Sequence, residues 1–165
     1  MISTLTLQTI IKVYDHDDEL SKEDQELLQY AKEICHQAHA PYSNFYVGAA
    51  ILLEDGTIVK GNNQENLAYP SGLCAERTAI YYTGANYSNK IIKTIAVAAF
   101  QPLFSKYVPA NPCGACRQAM LEYENKQTQP IRVILEGENN KIYIIDSIAS
   151  LLPLHFKAES LGITE

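Results

Sequence analysis

Apolar and polar positions recur along the chain at spacings that predict alternating helices and strands. Apolar residues at helical intervals follow Ser21, so we expect a helix over 22–39 that ends before Pro41. Two further helices are expected, over 74–83 with Gly84 as its stop, and over about 113–126. Short apolar runs bounded by turn residues predict strands at 5–13, 47–53, 57–61, 94–100, 131–135 and 142–145.

The order of these elements predicts one α/β domain. The last two strands are joined by only 137–140 and a few flanking residues, which is too short for a parallel crossover, so this pair must be antiparallel. We therefore expect a three-layer α-β-α sandwich around a mixed sheet of about five strands. Residues 21–165 should form this single domain, and residues 1–20 an N-terminal extension that can add a strand.

Composition and charge exclude several classes of protein. With 165 residues, of which 47% are hydrophobic, the chain can bury a sizeable core and is not expected to be disordered. A net charge of −6 without a basic run argues against a nucleic-acid partner. The longest apolar run, 95–100, is too short for a membrane span, and the N-terminus does not resemble a signal peptide. These features predict a soluble protein in the cytoplasm.

Three of the four cysteines stand where helices are expected to begin. Cys113 and Cys116 form a C-x-x-C turn after Pro112, and Cys74 lies two residues before Glu76. The exposed N–H groups at a helix start favour the thiolate, which is the form that binds metal. Three thiolates leave the fourth position of a tetrahedral zinc ion open to water, and a nearby carboxylate that is not a ligand can move protons. These features are typical of zinc deaminases.

Several short motifs together resemble the cytidine deaminase family, in its small branch with three cysteines. They run from 41 to 156 in the order found in that family: PYSNFYVGAA (41–50), NQEN (63–66), YP (69–70), CAERTAI (74–80), PCGACRQ (112–118), and LLP (151–153) followed by Phe156. The resemblance implies hydrolysis of cytidine and deoxycytidine to uridine and deoxyuridine with release of ammonia, a reaction of pyrimidine salvage. It also implies one zinc ion per chain.

The resemblance assigns the zinc and the chemistry to five residues. Cys74, Cys113 and Cys116 would hold the metal, and Glu76 would carry protons between water and the cytosine ring. Arg77 would donate hydrogen bonds to the ligand sulfurs and withdraw part of their negative charge.

The substrate contacts are implied by the same resemblance. Asn63 and Glu65 would bind the ribose 3′-hydroxyl, the backbone of Ala75 would meet the base, and Phe45 would pack against it. The family is typically a homotetramer, in which Tyr69 and Phe156 reach the site of a neighbouring subunit.

Plainer interpretations exist for each of these features. Cys113 and Cys116 could join Cys35 and His39 in a closed structural zinc site, which would leave Cys74 without a role. Glu65 could be an ordinary surface acid, Arg77 a solvated helix residue, Phe45 a core residue, and Phe156 an aromatic side chain that docks the tail. The alternatives for function are deamination of a modified aminopyrimidine nucleoside such as blasticidin S, or a zinc-stabilised binding module without turnover.

Overall fold

The computed structural model describes residues 2–162. Its helices are α1 (Lys22–Cys35), α2 (Ala75–Asn86) and α3 (Gly114–Asn125). Its strands are β1 (Lys12–Tyr14), β2 (Tyr46–Leu53), β3 (Ile58–Asn62), β4 (Ile92–Gln101), β5 (Lys106–Val108), β6 (Arg132–Glu136) and β7 (Ile142–Ile145). None of the helices in this described part is both long enough and apolar enough to cross a membrane.

All seven strands belong to one mixed sheet. Its order is β1-β7-β6-β4-β2-β3, and β5 pairs with the end of β4. The pairing of β4 with β6 is parallel, while the other pairings between strands are antiparallel. The antiparallel pairing predicted for the last two strands is confirmed by the register of Val133 with Ile145.

The sheet is covered by helices on both faces, which confirms the three-layer α-β-α prediction. Along β2, Ala49, Ile51 and Leu53 face a core shared with α2 and α3, whereas Ala50 and Leu52 face a second core under α1. Because successive strand residues point to opposite faces, a strand that is buried on both sides appears as an unbroken apolar run. This explains why 47–53 shows no alternation of apolar and polar residues.

A glycine brings the start of α2 against the sheet. A Cβ atom on Gly61 of β3 would lie 2.6 Å from the backbone nitrogen of Ala79 and 3.0 Å from the carbonyl oxygen of Ala75. Such contacts are shorter than a side chain tolerates, so the close packing of helix on strand requires glycine here. This packing holds the first turn of α2, which carries Cys74 and Glu76, beside β3.

The predicted ends of two helices are wrong. Ser21 caps α1 as expected, because its side chain accepts the N–H of Asp24, but α1 ends at Cys35 instead of residue 39. His39 leaves the helix because its backbone pairs with the segment after β3: its N–H donates to Asn63 and its carbonyl accepts from Glu65. Helix α2 continues past Gly84 to Asn86.

Gly84 serves packing and does not end the helix. A side chain at Gly84 would overlap the ring of Tyr123 on α3, so glycine at this position lets α2 and α3 pack together. The glycine that was interpreted as a stop signal is therefore explained by a contact between two helices.

The sheet has more strands than the five predicted. Strand β5 lies between Pro102 and Pro109, where no strand is predicted, and it is only three residues long. The predicted strand at 5–13 is reduced to Lys12–Tyr14, which pairs with β7 at the edge of the sheet, and residues 2–11 form no strand. Residue 1 of the predicted extension (1–20) and residues 163–165 of the predicted domain (21–165) lie outside the described residues. The division at residue 20 stays a prediction.

Candidate active site

Three cysteine sulfurs meet where the N-termini of two helices come together. Cys74 is the N-cap of α2, Cys113 is the N-cap of α3, and Cys116 lies in the first turn of α3. Their sulfur atoms all lie within 4.8 Å of one another, and the sulfurs of Cys113 and Cys116 are 3.4 Å apart. Two segments separated by almost forty residues thus supply one cluster of thiols, at the positive ends of two helix dipoles.

The pKa values of Cys74 and Cys116 are shifted in opposite directions. A hydrogen bond from the Cys116 thiol, assisted by the Arg77 guanidinium, lowers the pKa of Cys74 to about 5. The hydrogen bond to Cys74 and burial raise the pKa of Cys116. Neighbouring thiolates repel one another, so all three can ionise together only when a cation neutralises them. Three sulfur donors at this separation suit zinc, which binds thiolates in tetrahedral sites.

Glu76 lies in the first turn of α2, directly beside the thiols. Its side chain lines the cleft described below, although the residue is only 5% exposed. Burial raises the pKa of Glu76, because removal from water disfavours the charged carboxylate. A carboxyl group with a raised pKa is suited to accept and return protons near neutral pH.

Two arginines donate hydrogen bonds to the thiol cluster or to the segments beside it. The Nη2 atom of Arg77 lies 3.8 Å from the sulfur of Cys74 and donates a hydrogen bond to it. Arg117 of α3 donates from Nε to the carbonyl oxygen of Pro112 at 2.8 Å and from Nη1 to that of Leu151 at 2.9 Å. Arg117 therefore ties the turn before Cys113 to the C-terminal segment.

Two residues of the cluster, Cys74 and Cys113, line a cleft of about 630 Å³, a volume within the usual range for small-molecule sites. Cys74, Cys113, Glu76 and Arg77 form one part of its lining. The lining also contains the predicted substrate contacts Phe45, Asn63, Glu65 and Tyr69. The structure thus places two of the clustered cysteines and the predicted substrate-binding residues around a single cleft.

Asn63 and Phe45 have structural contacts in addition to their places in the cleft. The amide of Asn63 accepts the N–H of Val47 through Oδ1 at 2.8 Å and donates from Nδ2 to the carbonyl oxygen of Phe45 at 2.9 Å. Phe45 is partly buried and packs against the core under α2 and α3. The amide of Asn63 therefore holds the start of β2 and the backbone of Phe45 in place. The ribose contact of Asn63 stays a prediction.

Glu65 is bound to the loop that precedes β2. Its carboxylate accepts hydrogen bonds from the backbone N–H groups of Tyr42 and Ser43 and from the hydroxyl of Ser43. The hydrogen bond from the Ser43 hydroxyl is the main cause that holds the pKa of Glu65 below its usual range. Glu65 is therefore an ionised acceptor at the wall of the cleft.

The two aromatic residues that the resemblance assigns to a neighbour's site are both exposed. Tyr69 is 81% exposed at the rim of the cleft, and Phe156 is 64% exposed and lies outside its lining. Ala75 is buried at the first position of α2, between Cys74 and Glu76. Neither aromatic ring is covered by the described residues of its own chain to the extent expected of a core side chain.

The closed structural zinc site is wrong for this chain. Within residues 2–162, the group of side chains that could hold a metal consists of Cys74, Cys113 and Cys116, and it contains neither Cys35 nor His39. Cys35 is buried at the end of α1, and its thiol donates to the carbonyl oxygen of Lys32 at 2.9 Å. Burial raises the pKa of Cys35 to about 11, so this thiol stays protonated.

Several residues of the cleft were not singled out from the sequence. Tyr42 and Ser43 were noted only as part of the PYSNFYVGAA motif, although they line the cleft and hold Glu65. Asn111 lines it directly before the P-C-x-x-C motif, a position that could have indicated its place. Val47 belongs to the PYSNFYVGAA motif, and three further apolar residues of the lining have no signal in the sequence: Leu73, Val97 and Ala110.

The comparisons with known proteins agree on one family. The family model of the cytidine and deoxycytidylate deaminase zinc-binding region matches residues 21–130. A cytidine deaminase of Sporosarcina psychrophila is 39% identical over 138 residues, which cover 84% of this chain and 94% of that protein. A crystal structure of cytidine deaminase from Burkholderia pseudomallei superimposes with a TM-score of 0.67 at 37% identity, covering 79% of this chain and 97% of the other.

A second solved structure gives the same result. The cytidine deaminase of Mycobacterium tuberculosis superimposes with a TM-score of 0.61 at 28% identity and covers 80% of this chain and 95% of that one. The cluster of thiols, the buried Glu76 beside it, the three-layer fold and these matches lead to one conclusion. The chain belongs to the cytidine and deoxycytidylate deaminase family of zinc-dependent hydrolases.

Proposed function

We propose that this protein hydrolyses the 4-amino group of cytidine and 2′-deoxycytidine, with uridine or 2′-deoxyuridine and ammonia as products. The observation that carries this proposal is the buried carboxyl group of Glu76 next to three clustered thiols in one cleft. A structural zinc site needs four protein ligands and no proton carrier, whereas this site offers three thiols and a carboxyl group beside them. The names of the relatives support the same substrate class.

Cys74, Cys113 and Cys116 would hold the zinc ion. The negative charge of three thiolates requires a cation, and thiolate sulfur is a preferred donor for zinc. When bound, zinc polarises a water molecule so that it loses a proton near neutral pH. The hydrogen bond that Arg77 donates to the sulfur of Cys74 withdraws negative charge from the ligand set and preserves this polarising effect.

Glu76 would make the proton transfers of the reaction. Its carboxylate accepts a proton from the attacking water and delivers it to N3 of the cytosine ring, which makes C4 more electrophilic. The water oxygen bonds to C4, and Glu76 then takes the proton that remains on this oxygen and passes it to the 4-amino group. The C4–N bond then breaks, and ammonia leaves. One carboxyl group thus acts first as a general base and then as a general acid.

The charges of the cleft favour a nucleoside over its 5′-phosphate. Among the described residues, the charged side chains that line the cleft are Glu65, Glu76 and Arg77, and Nη2 of Arg77 already donates to the sulfur of Cys74. A carboxylate accepts hydrogen bonds from sugar hydroxyls and repels phosphate.

We therefore expect cytidine and 2′-deoxycytidine to be deaminated with a much higher kcat/KM than cytidine 5′-monophosphate or free cytosine. The loss of absorbance on mixing with each compound measures this directly. A higher kcat/KM for the monophosphate contradicts the assignment of the substrate. Absence of turnover with every compound, in protein that contains zinc, favours the non-catalytic binding module, and turnover of a modified nucleoside alone favours the deaminase of that compound.

We also propose a homotetramer in which Phe156 reaches the site of a neighbouring subunit. The support is the exposure of Phe156 outside the cleft of its own chain. Stacking of an aromatic ring on a base contributes ~1–3 kcal/mol, so Phe156→Ala should lower kcat/KM by about 5- to 150-fold and leave zinc in place.

Mixing experiments distinguish a shared site from a local one. When Phe156→Ala and Glu76→Gln chains are unfolded and reassembled together, some sites combine an intact Glu76 from one chain with an intact Phe156 from the other. The activity per chain with an intact Glu76 should then exceed that of Phe156→Ala alone. No increase, while mass spectrometry shows mixed oligomers, means that Phe156 serves its own subunit or docks the tail. The cytoplasmic location, like the tetramer, stays a prediction.

A further inference from the structure

The loop 41–45 and the carboxylate of Glu65 form a hydrogen-bonded unit at the wall of the cleft. The Oε2 atom of Glu65 accepts the N–H of Tyr42 at 2.9 Å and that of Ser43 at 3.3 Å, while Oε1 accepts the hydroxyl of Ser43. Tyr42, Ser43 and Glu65 all line the cleft. The contact joins parts of the chain that are 22 residues apart.

Backbone hydrogen bonds hold both Glu65 and the loop 41–45 in place. The N–H of Glu65 donates to the carbonyl oxygen of His39 at 2.8 Å. On the loop, Asn44 adopts a left-handed conformation with φ of 52°, and its N–H donates to the carbonyl oxygen of Ala40. The Ser43 oxygen also accepts the N–H of Phe45 at 3.0 Å. The hydroxyl of Ser43 is thereby directed toward Glu65.

The carboxylate of Glu65 can accept a further hydrogen bond. An ionised carboxylate offers about four acceptor positions, and the loop takes two on Oε2 and one on Oε1. One position on Oε1 is left. The single proton of the Ser43 hydroxyl is already given to Glu65, so this hydroxyl cannot donate to a ligand at the same time. Substrate hydroxyls in this part of the cleft therefore find one acceptor position on a carboxylate of set orientation.

We propose that Ser43 is a positioning residue, which holds the carboxylate of Glu65 so that the free position on Oε1 accepts one sugar hydroxyl of the nucleoside. This inference rests on the proposed deamination of a nucleoside. Ser43 acts in substrate binding and not in proton transfer, because its hydroxyl reaches Glu65 and not Glu76. Its loss should therefore weaken binding of the ground state and the transition state equally.

The test is the separation of KM from kcat in Ser43→Ala. Because one hydrogen bond to a charged group is lost, KM for cytidine should rise about 10-fold, while kcat stays within about 2-fold of its original value. Ser43→Thr keeps the hydroxyl and should restore KM. Ser71→Ala, at an exposed serine outside the cleft lining, is the matched control and should leave both constants unchanged.

A second substrate and a second variant distinguish a positioning role of Ser43 from damage to the fold. With 2′,3′-dideoxycytidine the sugar keeps its 5′-hydroxyl but lacks the 3′-hydroxyl that Glu65 is expected to bind, so Ser43→Ala and the unaltered protein should have equal KM. In Glu65→Ala, KM for cytidine should rise, and adding Ser43→Ala should raise it no further. A loss of folded protein would instead lower the rate with both substrates equally.

Different failures have different meanings. An unchanged KM in Ser43→Ala, together with a raised KM in Glu65→Ala, overturns the role of Ser43 and leaves the deaminase proposal intact. An equal rise of KM for cytidine and for the dideoxy substrate also overturns it. An unchanged KM in Glu65→Ala overturns the sugar contact itself. Absence of cytidine turnover in the unaltered protein contradicts the proposed function.

Discussion

Glu76→Gln should lower the rate of cytidine deamination by about 10³-fold or more while the protein keeps its fold and its zinc. The amide has nearly the shape of the carboxyl group, but it cannot accept a proton from water or return one to the amino group. Each general acid–base step contributes ~10²–10⁴-fold, and Glu76 is assigned more than one step. The residue is almost fully buried, so a neutral group at this position should be tolerated by the fold.

Single-turnover rates, zinc content and thermal unfolding should be measured on the same preparation. Glu122→Gln is the matched control, since Glu122 is an exposed acid on α3, outside the lining of the cleft. It should have the rate of the unaltered protein. Retention of a tenth of the original rate in Glu76→Gln would show that another group carries the protons.

Removal of any one thiol of the cluster should abolish zinc binding and activity together. Cys74→Ala and Cys113→Ala each leave two sulfur donors, which cannot complete a site of three protein ligands. We expect the zinc content to fall from one ion per chain to near zero after gel filtration, and deamination to fall below detection. Elemental analysis with parallel activity measurements checks both expectations.

Cys35→Ala provides the comparison within the same chain. Cys35 is buried at the end of α1 and does not belong to the cluster, so its loss should affect stability and leave one zinc ion per chain. Full retention of zinc in Cys74→Ala would contradict the three-thiol site. Loss of zinc in Cys35→Ala from protein that remains folded would also contradict it.

Local sequence patterns predicted most of the elements, and the errors have physical reasons. Predicted and observed bounds agree for β7 and differ by one residue at one or both ends for β2, β3 and β6. Gly84 was assigned as a helix stop, but it is needed for the approach of Tyr123. The end of α1 was set by pairing of His39 with the segment after β3. Such contacts join residues far apart in the sequence, and no local spacing reveals them.

Candidate residues of the site were also found largely from local motifs. A C-x-x-C turn and a cysteine two residues before a glutamate are recognisable because helix starts and ligand spacing are local properties. The brace that Asn63 makes with Phe45 and Val47 was not foreseen. Neither was the contact of Ser43 with Glu65. Both depend on how β2 is aligned with the segment after β3.

The sequence by itself predicted the class of fold and identified three cysteines, and the glutamate beside one of them, as candidate site residues. Helical spacing and ligand motifs can be recognised within a few residues of sequence. Only the tertiary structure decided between the two cysteine sites that the sequence left open, since it places the sulfur of Cys74 beside those of Cys113 and Cys116 and buries Cys35 at the end of α1. It also decided that the carboxylate of Glu65 is held by Ser43. Packing of helices on a shared sheet brings distant segments within hydrogen-bonding distance, and that packing depends on the whole core.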